Sequence, residues 1–203
     1  MIRLIAFACL FAVPAHSEEL NLPDVTHLRN SDLFDLSAVP PLIVQQAIAA
    51  SEDRDYFETF PAFSPISQAV VRNFLVSPQR TLTAKAMEIR LAADLANEFT
   101  PEEIMTMYAE HVYLGAGCYG FSDALEHRMG TRLEQATLAQ VLTLATLLRA
   151  PMMFESHPDR LPPRYNSLAV QGVLMEFWDA DTSRELTGAG PAEILPNGRC
   201  LTE

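Results

Sequence analysis

The chain has 203 residues, 49% of them hydrophobic, which is enough for one domain with a sizeable core. Its 26 acidic residues against 14 basic ones leave a formal charge of −12. That balance argues against nucleic acid, and against a general attraction to anionic lipid, as the basis of function.

In chain order, Met1-Ile2-Arg3, the apolar run Leu4 to Val13 and Pro14-Ala15-His16-Ser17 read as a secretory signal over residues 1–17. The run carries one positive charge, is too short to span a bilayer and ends in small residues. Cleavage there predicts an exported, periplasmic protein; the alternative is an uncleaved segment anchoring it to the inner membrane. Residues 18–40 are polar, with Pro23 and Pro40, and predict an extended N-terminal arm. Pro41 opens a helix in which Leu42, Ile43, Ala47 and Ala50 recur up to Glu52. Ser64 and Pro65 form an N-cap and first-turn pair. The helix they start sets Ile66, Val70 and Phe74 on one face and Ser64, Gln68 and Arg72 on another. From Thr81 to about Ala96 a further helix is expected to bury Leu82, Ile89 and Ala93, with Leu91 and Leu95 beside them.

Thr100-Pro101-Glu102-Glu103 is a capping box with proline at the first helical position, and its helix runs to near Gly115. Another spans Phe121 to Arg128 and stops at Gly130. Thr137 with Gln140 caps a buried helix that ends before Pro151, and a last helix covers Arg164 to Trp178. The remainder, residues 179–203, holds Gly188, Gly190, Pro191, Pro196 and Gly198 and reads as an irregular tail. With no sustained alternating pattern, the fold class is mainly α, a single domain over residues 41–178.

Two motifs have plain readings. Gly115-Ala116-Gly117-Cys118-Tyr119-Gly120 spells G-x-G-x-x-G, but it follows a helix and no βαβ unit surrounds it, so it is a tight inter-helix turn. His27, His111, His127 and His157 show no metal-ligand spacing. Cys9 would leave with the signal, and Cys118 and Cys200 could then pair in an oxidising compartment; sequence leaves their geometry open.

The chemistry concentrates early. Glu52-Asp53-Arg54 ends the first helix, and Glu88 follows on a helix that also carries Lys85, the only lysine. Arg54, Arg72, Arg80, Lys85 and Arg90 gather the scarce positive charge around the two glutamates. Moving a sugar off a diphosphate needs a base for a poor hydroxyl nucleophile and cations for a leaving group that already departs well. Each candidate also has a plain structural reading: Glu52 as a solvated helix end, Glu88 as a surface partner of Lys85, Gln68 and Arg72 as an exposed polar face.

Five stretches occur in an order that resembles the family 51 glycosyltransferases, peptidoglycan polymerases found alone or at the front of bifunctional penicillin-binding proteins. They are Glu52-Asp53-Arg54; Ser64-Pro65-Ile66-Ser67-Gln68 with Arg72-Asn73; Arg80-Thr81-Leu82-Thr83 leading to Lys85 and Glu88; Thr100 to Ile104 running to Tyr113 through Gly120; and Leu138 to Pro151. The resemblance covers about residues 41 to 178. It implies a lysozyme-like helical domain that polymerises lipid-linked disaccharide units (lipid II) into glycan strands. Glu52 would be the general base, and Glu88 would assist at the diphosphate. Asp53, Arg54, Ser67, Gln68, Arg72 and Lys85 would bind substrate. No cofactor is implied beyond the option of a divalent metal at the diphosphate. The implied partners are the lipid-linked precursor and glycan strand, the membrane surface through that lipid, and cell-wall synthesis proteins. The chain has no room for a transpeptidase, so a monofunctional enzyme is expected.

The sequence departs from the family pattern at several donors. The segment between Phe57 and Ser64 is short; a histidine is replaced by Thr59, a threonine by Pro65, a glutamine by Ala69, an arginine by Ala84, an asparagine by Glu110 and a glutamate by Gln140. Loss of one donor to a developing anion commonly costs about 2.7–4 kcal/mol. Two alternatives therefore stand beside the polymerase. One is a non-catalytic module that holds glycan or cell-wall synthesis partners. The other is a glycan-cleaving enzyme with Glu52 as an acid, which requires burial to raise its pKa.

Overall fold

Local capping signals place most of the helices. In the computed structural model, which describes residues 22–58, 63–76 and 81–200, Ser64 Oγ accepts the Ile66 N–H and Pro65 fills the first turn of the helix Pro65–Phe74 (α2). Thr81 caps α3 (Leu82–Glu98) by accepting from the Ala84 N–H. Thr100 and Glu103 exchange side-chain and backbone bonds to start α4 (Pro101–His111), and Thr137 and Gln140 do the same for α6 (Leu138–Leu147). The first helix, α1, is Leu42–Glu52, and α5 is Phe121–Met129, ended by Gly130 in the left-handed region at φ +63°. Helices α7 (Pro151–Ser156), α8 (Leu161–Leu174) and α9 (Ala180–Ala189) complete the set. Among the described residues, pairing of extended backbone is limited to one isolated bridge, Tyr113 with Tyr119, at the glycine turn. The class is mainly α in one helical domain, as the sequence predicts.

Helix α6 is the axis. It is apolar all round, with Val141, Leu142, Leu144, Ala145 and Leu147 buried. Its buried Thr143 and Thr146 hydroxyls are satisfied by the carbonyls of Ala139 and Leu142. Helices α1, α5 and α8 pack on this axis, while α2 lies on α3 and α4. Among the described residues, no helix is long and apolar enough to cross a membrane. Residues 1–17, where the sequence predicts a leader, and Thr59 and Arg80 lie outside the described residues.

Four expectations change. In α3 the buried face is Ala84, Glu88, Leu91, Ala92 and Leu95, whereas Leu82 is 92% exposed and Ile89 also faces outward. The helix carries apolar residues on more than one side, and packing on α2 selects the side that draws Glu88 inward. The arm is not simply extended: Val25–Asn30 forms a 3-10 turn capped by Asp24, and its Val25 and Leu28 enter the core. Helix α8 ends at Leu174 rather than Trp178. There the Trp178 indole folds back, donating to the Ala169 carbonyl at 2.8 Å and lying over Gly172, where any Cβ would collide with the ring. Finally, the tail is not wholly irregular, because Asp179 accepts the Thr182 N–H and starts α9.

Arg29 fastens the arm. Its guanidinium lies 4.5 Å from the Phe99 ring centroid and donates to the Glu98 carbonyl at 2.6 Å and to Glu103 Oε1 at 2.7 Å. The hydrogen bond from Arg29 is the main cause holding the Glu103 carboxyl below its usual range. Because the folded-state pKa is depressed, this stabilisation is present above the unfolded carboxylate pKa and is lost as pH falls through the folded one. Arg29→Ala is expected to cost about 1 kcal/mol at neutral pH, discounted for solvent screening of a half-exposed pair. Thermal unfolding of both proteins at pH 7 and pH 3 checks this: the wild-type advantage should shrink in acid.

Candidate active site

Helix α1 delivers Glu52 at its last residue because the chain is anchored just beyond it. Tyr56 is buried, its hydroxyl donates to the Pro101 carbonyl at 2.7 Å, and burial pushes its phenol pKa far up. Glu52 is part-buried and accepts from the Ser51 hydroxyl at 2.9 Å. It lies in the wall of a cleft of about 710 Å³, opposite Gln68, Arg72 and Lys85, with Tyr108, Tyr113 and Arg149 completing the sides. Burial first, and the nearby Glu52 carboxylate second, raise the Tyr108 phenol pKa, so this hydroxyl stays protonated beside the acid.

Across the cleft, α2 and α3 are tied by a short polar chain. Lys85 Nζ donates to Gln68 Oε1 at 2.7 Å and to Glu88 Oε1 at 2.7 Å, and Arg72 Nη1 donates to the same Glu88 oxygen at 3.1 Å. Glu88 is only 8% exposed, while the side chains of Arg72 and Lys85 are half-exposed. A surface pair between Lys85 and Glu88 is therefore the wrong description. One inward carboxylate holds two cations, and those cations, not Glu88 itself, line the cleft.

A second, smaller chamber of about 230 Å³ opens on the other side of Glu52. Asp53, Arg54, Arg149, Arg164, Ser167 and Gln171 line it, and Ser51, Glu52 and Arg149 belong to both chambers. Arg164 Nη2 donates to the Ser51 carbonyl at 3.2 Å, while its buried Nε has no partner. Burial depresses the Arg164 pKa, Arg149 depresses it further by like charge, and Glu52 opposes both.

The structure thus gathers Glu52, Gln68, Arg72 and Lys85 in one cleft and places Asp53 and Arg54 on the smaller chamber alone. Ser67 joins neither: it is fully buried in α2 and its hydroxyl is unpartnered. Of the positions that depart from the family pattern, Pro65 and Ala69 line the cleft directly, so it lacks the side chains those positions would supply. Ala84 is buried, Gln140 serves as a cap, and Glu110 lines a separate cavity, with its carboxyl pKa raised mainly by burial. Sequence reasoning missed Arg149, Arg164 and Tyr108. An arginine closing an otherwise apolar helix, in Leu147-Leu148-Arg149-Ala150-Pro151, was the available signal. Among the described residues no three His, Cys, Asp or Glu side chains converge on a point that could hold a metal ion. Glu88 is already engaged by two cations, so the residues present do not fit a protein-held divalent metal.

The transglycosylase family profile matches residues 63–171, more than half of the chain and the part that carries α2 to α8. The chain belongs to the transglycosylase family. Glu52 precedes the matched segment, and it is the folding of α1 against α6 and α8 that brings it to the cleft. A provisionally named transglycosylase of Cupriavidus necator is 42% identical over 88 residues, covering 43% of this chain and 38% of that protein. Penicillin-binding protein 1A of Escherichia coli is 31% identical over 140 residues, 59% of this chain and 16% of that protein. Penicillin-binding protein 2a of Streptococcus pneumoniae (strain D39) is 30% identical over 128 residues, 55% and 18% respectively. The chain therefore spans well under half the length of each of these relatives.

Proposed function

We propose that this transglycosylase-family protein is a peptidoglycan glycosyltransferase that polymerises lipid-linked disaccharide units into glycan strands after export by its leader. The observation that carries the reading is the position of Glu52, a carboxylate in the wall shared by two chambers with cations on both sides. The Glu52 carboxylate takes the proton of the acceptor hydroxyl, whose oxygen attacks the donor's anomeric carbon. The bond from that carbon to the diphosphate oxygen breaks, and the lipid diphosphate leaves with the electron pair. Arg72 and Lys85 neutralise it, held by Glu88 in fixed positions before the reaction begins, which is where such charges act best. The membrane supplies the substrate through its lipid, and cell-wall synthesis proteins are the natural neighbours.

Arg149 and Arg164 supply cations on the far side of Glu52 and offset some of what Pro65 and Ala69 remove. Arg164→Ala is expected to lower kcat/KM by about 10²-fold, the usual scale for losing one anion donor. Steady-state polymerisation of lipid-linked disaccharide-pentapeptide measures it; a change under threefold would remove Arg164 from the site.

A second reading keeps the cleft and drops the chemistry. It is favoured by one observation: Arg72 and Lys85 are already bonded to Glu88, so a diphosphate must compete with a buried carboxylate for them. The deciding experiment is polymerisation by the purified mature chain beside Glu52→Gln. Product from wild type alone supports the enzyme. A folded wild type that binds glycan or precursor and makes none supports a binding module.

A further inference from the structure

A further cavity, between the C-terminal segment and helices α6 to α8, lies apart from the chambers around Glu52. It is a half-open cavity of about 650 Å³ and shares no lining residue with either chamber. Leu147, Phe154, Leu161, Ile194 and Leu195 give it an apolar interior, and Arg128 enters that interior as a buried cation. Its guanidinium donates to the Leu114 carbonyl and lies 3.4 Å from Glu155 Oε1, while the buried Nε is unpartnered. Arg199 stands at the cavity with no carboxylate partner among the described residues. One buried guanidinium and one exposed guanidinium, Arg199, thus share a single carboxylate, in a protein whose overall charge is −12. A buried cation short of bonding partners is costly and is a natural receptor for an anion.

The wall is fixed rather than draped. The Leu195 N–H donates to the Arg128 carbonyl at 2.8 Å and the Cys200 N–H to the Ala116 carbonyl at 3.2 Å. Gly198 presses so closely on His127 that a Cβ would stand 2.5 Å from its carbonyl oxygen. The Cys118–Cys200 disulfide then locks the strap to the glycine turn.

We propose that this cavity binds a small amphipathic carboxylate, its charged end toward Arg128 and Arg199 and its aliphatic or aromatic body among the leucines and Phe154. The volume lies within the range of small-ligand sites, and one anion balances the local charge. A sugar or diphosphate would find too few polar groups on these walls, and an amine would meet two cations.

The probe is octanoate, with octanol and octylammonium as controls, titrated into the oxidised mature chain and followed by backbone amide NMR. Octanoate should shift the Gly115, Ala116 and Gly198 signals and bind at least about tenfold more tightly than octanol, a difference of about 1.4 kcal/mol. Arg199→Ala should reduce octanoate to the level of octanol. Leu195→Trp, at a half-exposed position that leaves the core alone, should block the cavity. Reduction of the disulfide should weaken binding by releasing the strap. Equal binding of octanoate and octanol, shifts confined to Gln68 and Tyr113 in the cleft, or no saturable shift at millimolar concentration would each overturn the proposal. None of these readouts depends on glycosyl transfer.

Discussion

Glu52→Gln is expected to abolish glycan polymerisation, lowering kcat by about 10²–10⁴-fold, the contribution usual for a general base. The substitution keeps size and shape and removes only the ability to accept a proton. The Ser51 hydroxyl, which donates to Glu52 Oε1 at 2.9 Å, can donate equally to an amide oxygen. Glu52 is outside the hydrophobic core, so thermal unfolding should be unchanged within about 0.5 kcal/mol. No nearby carboxylate replaces it: Glu88 is committed to Arg72 and Lys85, and Asp53 lines only the smaller chamber. The measurement is strand formation from lipid-linked disaccharide-pentapeptide, read beside the unfolding curve. A variant that polymerises at the wild-type rate would take the base assignment from Glu52. Intact glycan strands shortened by wild type would instead point to the cleaving alternative.

The residues that could be read correctly from sequence are those whose partners lie within a few positions. Ser64, Thr81, Thr100 and Thr137 act on backbone two or three residues ahead, and each begins a helix where expected. Gly130 ends α5 for an equally local reason. The face of α3 was not local. Leu82 and Ile89 were as apolar as Leu91 and Leu95, and only packing of α2 against α3 decides which pair is covered. That same decision buries Glu88 and turns a neighbour of Lys85 into the clamp for two cations. Helix α9 did carry a signal, Asp179 three residues before Thr182, but the glycines and prolines that follow concealed it. In the site, the family resemblance named Gln68, Arg72 and Lys85, and the regular helices α2 and α3 bring all three to one cleft. Arg149 had only the weak signal of an arginine just past an apolar helix, and Arg164 had none, because each comes to Glu52 from a separate helix end, α6 and α8, and nothing in the intervening sequence measures that approach.

Opening the Cys118–Cys200 bond is expected to produce a large loss of stability without removing any core side chain. The two cysteines are 82 positions apart, so the bond closes the C-terminal part of the domain, α5 to α9, into one loop. Loop-closure entropy for a ring of that size corresponds to roughly 4 kcal/mol, a large share of the 5–15 kcal/mol typical of a domain. At about 2–4 °C per kcal/mol for a chain of this length, the Tm should fall by roughly 8–16 °C. Cys200→Ser is the cleaner variant, because Cys200 is part-exposed whereas Cys118 is fully buried and a serine there would add an unpaired hydroxyl. Thermal unfolding of wild type with and without reductant, beside Cys200→Ser, should give three curves of which the last two coincide. If reduction moved Tm by less than about 2 °C, the unfolded chain would already be constrained across this loop. The strap would then owe its place to the Leu195, Gly198 and Cys200 backbone contacts alone. A full shift would mean that the bond stabilises the domain as a whole, a gain that only an oxidising compartment preserves.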